Sequence, residues 1–218
     1  AARLPEYEEE EVRVSREAIA RVGKQGYSVP ARWAGRRLRA RIKENDSSVP
    51  AIEGPWAYYR RFREGGEYPV FARRAAEHAF TDQPDLEHLL IDGDALAKGC
   101  DYFDIRKVAH SPDHRLIAFA VDDKGSEFHQ IRVRNPETGI DGIDDIQHTG
   151  GGAVWAADGK SFFYVLQDDS HRPLKIFRHR LGSPQSGDTL VYEEKDTAFF
   201  AGVAGALVLR AEGARNDV

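Results

Sequence analysis

A serine nucleophile of the α/β-hydrolase type sits in a Gly-x-Ser-x-Gly elbow, a strand-to-helix turn that holds the hydroxyl beside an oxyanion hole. No serine in this sequence has glycines at both flanking positions. Ser161 has Gly159 before it but Phe163 after it, within a stretch that reads as a buried strand, so its role is structural. His110 and His114 stand four apart, a spacing that on a helix would serve one metal. Ser111-Pro112-Asp113 between them dictates a turn, which removes the helical geometry. His129, His171 and His179 read as partly exposed strand or loop residues. The pairs Asp122/Asp123, Asp144/Asp145 and Asp168/Asp169 could be drawn as general acid and base. Their places between repeated strands make them solvated turns. Gly150-Gly151-Gly152 has no Gly-Lys-Ser/Thr ending and no helix after it, so it is no phosphate loop. Cys100 reads as a loop or core thiol. The chain is therefore expected to hold no catalytic residue, no metal and no cofactor.

Arg32, Arg36, Arg37, Arg39, Arg41 and Lys43 form the strongest case for nucleic acid, with Trp33 available to stack on a base. The competing account is a solvated face of an amphipathic helix, its arginine stems lying over apolar neighbours and an acidic N-terminal segment pairing with it. That account is preferred. With 36 acidic and 31 basic residues the formal charge is −5, which lacks the basic excess of a duplex binder. No apolar run approaches the roughly 20 residues of a membrane span, and Ala1 to Glu11 does not read as a signal peptide. One cysteine makes no internal disulfide and suits a reducing compartment, so the cytoplasm is expected, with the periplasm compatible.

The elements that carry these residues change character along the chain. Pro5 followed by Glu6 and Glu8 to Glu11 suits a helix start, with Val12, Ile19 and Val22 on one face and Gly23 and Gly26 as stops. A second helix is expected over about 31–43, with Trp33, Leu38 and Ile42 as its apolar members, ended by Asn45-Asp46-Ser47-Ser48 before Pro50. From Pro50 onward the texture is β. Trp56 to Phe62, the turn Arg63 to Glu67 and Tyr68 to Ala72 form a hairpin signature, and Leu86 to Ile91 is a further short apolar run.

An internal repeat organises the remainder. Val108 to Val121 aligns with Ala153 to Leu166, pairing Asp113 with Asp158, Arg115 with Lys160 and Phe119 with Tyr164, at an offset of about 45 residues. His129 to Arg134 then parallels Lys175 to Arg180 with a slip of one. Several strands per unit at this period is the pattern of a propeller blade. About three blades are expected, near 50–100, 104–147 and 152–196, followed by an irregular tail. The fold class is mainly β: a partial β-propeller over 48–218, preceded by a helical segment over 1–47 holding one or two helices. A closed propeller takes about 4–8 blades, and methionine is missing even at position 1. The chain is therefore expected to be cut from something longer.

Particular stretches resemble one family. Arg41 to Pro50, Gly54-Pro-Trp-Ala-Tyr-Tyr59 and Glu67 to Arg74 are similar to the first propeller blade of the oligopeptidase B (protease II) group of the prolyl oligopeptidase family. The resemblance continues through Leu89 to Asp92, His110-Ser-Pro-Asp113, Ile131 to Asn135, Val154 to Asp158, Phe177 to Gly182 and Leu190 to Asp196. It covers roughly 40–200 and weakens at both ends. It implies a non-catalytic gating propeller, partnered by an α/β-hydrolase domain that follows it and carries a Ser-Asp-His triad, with short peptides cleaved after Lys or Arg as the parent's substrates. From the charge balance and the lack of a long apolar run, no nucleic-acid partner and no membrane are expected. The alternative is a stand-alone degenerate propeller that acts as a protein-interaction scaffold.

Overall fold

The computed structural model describes residues 8–17, 19–22, 25–29, 31–42, 47–81, 83–196, 198–204 and 207–212. The expectations placed on Pro5, Glu6, Gly23, Lys43, Asn45 and Asp46 lie outside them. Strands dominate, and among the described residues the one α-helix is the single-turn α1 (Gly93–Ala97). Among the described residues no helix is long and apolar enough to cross a membrane.

Among the described residues the expected N-terminal helices are not found. Strand β1 (Glu8–Arg13) pairs antiparallel with β4 (Arg37–Ile42), and β2 (Ile19–Val22) with β3 (Gln25–Ser28). The reason is a period of two in both segments. Val12 and Val14 alternate with Glu11 and Arg13, and Leu38, Ala40 and Ile42 alternate with three arginines. Val12, Val14 and Ala20 are buried against Val29, Trp33 and Leu38. The register sets Glu11 opposite Arg39 and Glu9 opposite Arg41, so the acidic strand does pair with the basic one, as a ribbon and not as a helix face.

A four-stranded antiparallel sheet follows: β5 (Ala51–Glu53), β6 (Trp56–Arg61), β7 (Val70–Ala75) and β8 (His88–Asp92). Beyond α1 comes a seven-stranded sheet made of β9 (Asp104–His110), β10 (Ile117–Asp122), β11 (His129–Asn135), β12 (Ile140–Trp155), β13 (Ser161–Gln167), β14 (Pro173–Arg180) and β15 (Thr189–Glu193), each paired with the next in sequence. This sheet folds back on itself at β12. The first part of β12 pairs with β11 up to Thr149, and its last part pairs with β13 through Ala153 to Trp155. The result is three four-stranded layers, packed face to face.

β10 shows how the layers stack. All six of its residues are buried, because neighbours cover both faces and a continuous apolar run is then required. Ile117, Phe119 and Val121 pack with Leu90, Ile91 and Phe103 on the side of the first layer. Ala118 and Ala120 point the other way and pack with Phe162 and Tyr164 of the third. Small side chains meet large rings there, which fills the space at interior density. The last strands, β16 (Phe199–Ala204) and β17 (Leu207–Glu212), form a hairpin where an irregular tail is expected from the sequence.

The repeat extends to backbone detail. Asp113 accepts the Arg115 N–H at 3.2 Å, and Asp158 accepts the Lys160 N–H at 2.8 Å. The residue after each aspartate takes positive φ: His114 at 60° and Gly159 at 62°.

Candidate functional site

The Ser161 hydroxyl donates to the Asp158 carboxylate at 3.1 Å and accepts from Arg178 Nε at 3.0 Å, an arrangement that locks a turn. Hydrogen bonds from the Lys160 N–H and then Ser161 hold Asp158 below the usual carboxylate range. His110 and His114 do come together, their rings stacked with centroids 4.6 Å apart. They address different partners: His110 Nε2 lies 2.8 Å from Glu53, and His114 Nδ1 lies 2.8 Å from the Tyr58 hydroxyl. Among the described residues no group of three or more His, Cys, Asp or Glu side chains is placed to hold a metal. Cys100 is exposed in a loop.

Several residues expected at the surface are inside. His129 and His179 are almost wholly buried, not partly exposed. Each can be buried because both ring nitrogens find partners. His179 lies 2.9 Å from Asp144 and 2.8 Å from Asp188, and His129 lies 3.1 Å from Asp104 and 3.2 Å from the Glu127 carbonyl. Asp122 and Asp144 are likewise buried and are not solvated turns. Asp122 accepts the N–H groups of Lys124 and Glu127, so it folds its own loop. Tyr164 donates to Asp188 at 2.9 Å, and burial pushes its phenol well above the ordinary value. Asp144, His179, Asp188 and Tyr164 join β12, β13 and β14 through one polar network.

Arg73, which sequence reasoning missed, is the largest fully buried side chain. It donates to the His114 carbonyl at 2.7 Å, to Glu137 at 2.8 Å and to His88 Nδ1 at 3.1 Å, and its guanidinium stacks 3.9 Å over Trp56. Its partners stand up to 64 positions away, so no local signal marks it.

The surface with the clearest functional character is the rim made by loops 62–69, 93–103, 123–128 and 168–172. Ring contacts chain these loops together. Tyr68 meets Phe103 edge-on at 5.1 Å, Phe128 stacks on His171 at 4.2 Å, and Arg172 covers Phe200 at 5.7 Å. Gly125, at φ 69°, lies against the Tyr102 ring, where an added Cβ would come within 3.3 Å. Glu64, Glu67, Asp101, Glu127 and Asp169 are exposed on this rim, against the exposed cations Lys98 and Lys124. A concave run of like charge raises the local concentration of the opposite charge. The rim is thus suited to cationic ligands. Its opposite end, made by turns 111–116, 136–139, 156–160 and 181–188, includes the basic residues Arg115 and Lys160.

Comparison with known proteins sets this geometry in context. Residues 31–206 match the family described as prolyl oligopeptidase, N-terminal beta-propeller domain. Dipeptidyl aminopeptidase BI of Pseudoxanthomonas mexicana is 39% identical over 176 residues, covering 75% of this chain and 24% of that protein. Protease 2 of Moraxella lacunata is 30% identical over 162 residues, covering 73% of this chain and 23% of that one. Oligopeptidase B from Leishmania major superposes with a TM-score of 0.70 at 33% identity, covering 74% of this chain and 22% of that chain. The chain thus spans about a quarter of the length of the curated relatives it matches.

Proposed function

The chain belongs to the family of the prolyl oligopeptidase N-terminal β-propeller domain, and from that premise we propose that it is the non-catalytic gating segment of an oligopeptidase B-like serine peptidase. The three layers are read as successive blades of the propeller. Their partner is an α/β-hydrolase domain that carries the Ser-Asp-His triad, and the substrates of the whole are short peptides cleaved after Lys or Arg. The rim of exposed carboxylates on Glu64, Glu67, Asp101, Glu127 and Asp169 carries this reading. Such a field draws cationic peptides toward one end of the blades before any specific contact forms. The same reading assigns the protein to the cytoplasm, on the strength of its single cysteine.

The test uses the 218-residue chain. A short arginine-containing peptide and its glutamate counterpart are titrated against it by fluorescence anisotropy at rising salt. The arginine peptide is expected to bind, to weaken as salt rises, and to weaken again in Glu64→Lys/Glu67→Lys/Asp101→Lys. Equal binding of the two peptides would remove the charge argument. Hydrolysis of arginine or lysine esters by the chain, if sensitive to a serine-directed inhibitor, would contradict the non-catalytic assignment.

A further inference from the structure

We propose that the notch at the turn end of the third layer is an oxyanion site, which takes a phosphate or carboxylate group between Lys160, Arg178 and Arg180. Arg178 and Arg180 stand two apart on β14 and so share a side of the sheet. Lys160 faces them from the turn before β13, and Thr189 and Gly187 close the far wall of an open cavity of about 440 Å³. Asp158 is the one carboxylate lining it. That carboxylate is already engaged by Arg178, whose Nη2 donates to it at 2.8 Å while its Nε donates to Ser161. Among the described residues no carboxylate pairs with Lys160 or Arg180. Lys160 and Arg180 therefore line the cavity without a carboxylate partner of their own, beside the Arg178–Asp158 pair.

The arginines of the second layer offer a contrast. On β11 of the second layer, Arg134 pairs with Ile117 as His179 pairs with Phe162 in the third, so Arg132 and Arg134 lie on the face toward the first layer, whereas Arg178 and Arg180, paired with Phe163 and Ser161, lie on the opposite face of theirs. Arg134 is closed by Asp141, directly across the strand pair, at 2.5 Å, and Arg132 lies 3.7 Å from Asp123. In the third layer the residue across from Arg178 is Thr189, which has no charge. The neighbouring carboxylate, Asp188, is turned into the core, where it serves His179 and Tyr164. The β11 arginines are thus paired with carboxylates of their own layer, while in the third layer Asp188 is turned inward and Lys160 and Arg180 stand beside the hydroxyls of Ser161, Ser183 and Thr189. Guanidinium forks and an ammonium around such a space match the donors that phosphate and carboxylate oxygens require. This site lies at the opposite end of the layers from the acidic rim, and it does not rest on the peptidase reading.

The experiment is calorimetric titration of the 218-residue chain at low ionic strength with inorganic phosphate, pyrophosphate and a short diglutamate peptide. Binding of the phosphates alone identifies a free anion, and binding of the peptide identifies a peptide-borne carboxylate; either supports the site. Lys160→Glu/Arg180→Glu is expected to weaken binding by about tenfold or more, through loss of two charge-assisted contacts. Both side chains are exposed and unpaired, so an unchanged urea midpoint is expected for this variant. Arg115→Glu, on the equivalent turn of the second layer, is expected to leave binding intact. No binding by any of the three probes overturns the proposal. So does binding that survives the double reversal, or that falls equally in Arg115→Glu.

Discussion

The two seams between layers solve one problem in different ways. Each must bury polar groups where strands from separate layers meet. Between the second and third layers the chain runs through in β12, and the polar contact is closed: His179 and Asp188 are fully inside, and both ring nitrogens and both Asp188 oxygens have protein partners. Between the first and second layers the chain detours through α1. There Arg73 is 2% exposed, while its carboxylate partner Glu137 is 67% exposed. The second kind of seam is anchored inside and open at its rim. A closed network fails when any member is lost, whereas an open one can recruit water for the partner left behind.

The largest effect is therefore expected in the closed seam. Asp188→Ala leaves the Tyr164 hydroxyl and His179 Nδ1 without acceptors in a dry site. Two buried polar groups left unpaired should destabilise the chain by about 3–5 kcal/mol, read as a lower urea midpoint. A loss under about 1 kcal/mol would mean that water reaches the network and that the two seams are alike. Arg73→Met keeps much of the stem that packs on Trp56 but removes the charge. Glu137 returns to solvent, and only the His114 carbonyl and His88 lose a buried donor. A loss of about 2 kcal/mol is expected. If Arg73→Met matches Asp188→Ala, the open seam is no more tolerant than the closed one.

Trp155→Phe sharpens the comparison. The indole N–H donates to the Ala109 carbonyl at 3.0 Å and so ties β12 to β9, the first strand of the second layer. The ring also packs edge-on against Phe162 at 5.6 Å, and phenylalanine retains most of that contact. The loss should be about 1 kcal/mol, with faster amide exchange confined to β9 and the end of β12.

The layers were legible in the sequence where local chemistry repeats. The Asp113 and Asp158 turns and the buried run 117–121 are written in adjacent residues, and their structure follows from adjacent residues. The N-terminal ribbon was not legible in the same way. Its glutamate run satisfies the expectation for a helix start, and the alternation of Val12 and Val14 is short enough to be outweighed by it. The buried histidines were hidden for another reason. His179 is polar, and what makes its burial tolerable is Asp144, 35 positions earlier. The acidic residues of the loops were visible individually, but their gathering on one rim depends on how successive antiparallel strands place alternate loops at the same end. Arg73 joins three segments that only the stacked layers bring together.

The smallest effect concerns the proton sensitivity of the open seam, where His114 sits at its mouth. Burial is the main reason its imidazole is held below the ordinary value, and the neighbouring His110 and Arg73 add to it. Glu53 and Asp113 face the same group and pull the other way. Because the folded chain resists this proton, the unfolded chain binds more protons as pH falls through the free imidazole value of 6.5. Stability attributable to His114 is thus fully present at higher pH, declines below that value, and levels off once the folded form also titrates. The carboxyls held low at Asp113 and Glu87 begin from 3.8 and 4.5 and act only in more acidic solution. His114→Gly would give the second layer the turn that the third layer has at Gly159, with the positive φ relieved and the titrating ring removed. The urea midpoint of the parent chain is expected to fall between about pH 7 and pH 5, and the variant should show a shallower fall over that range. An identical slope in both would place the acid sensitivity elsewhere and leave His114 as a turn residue alone.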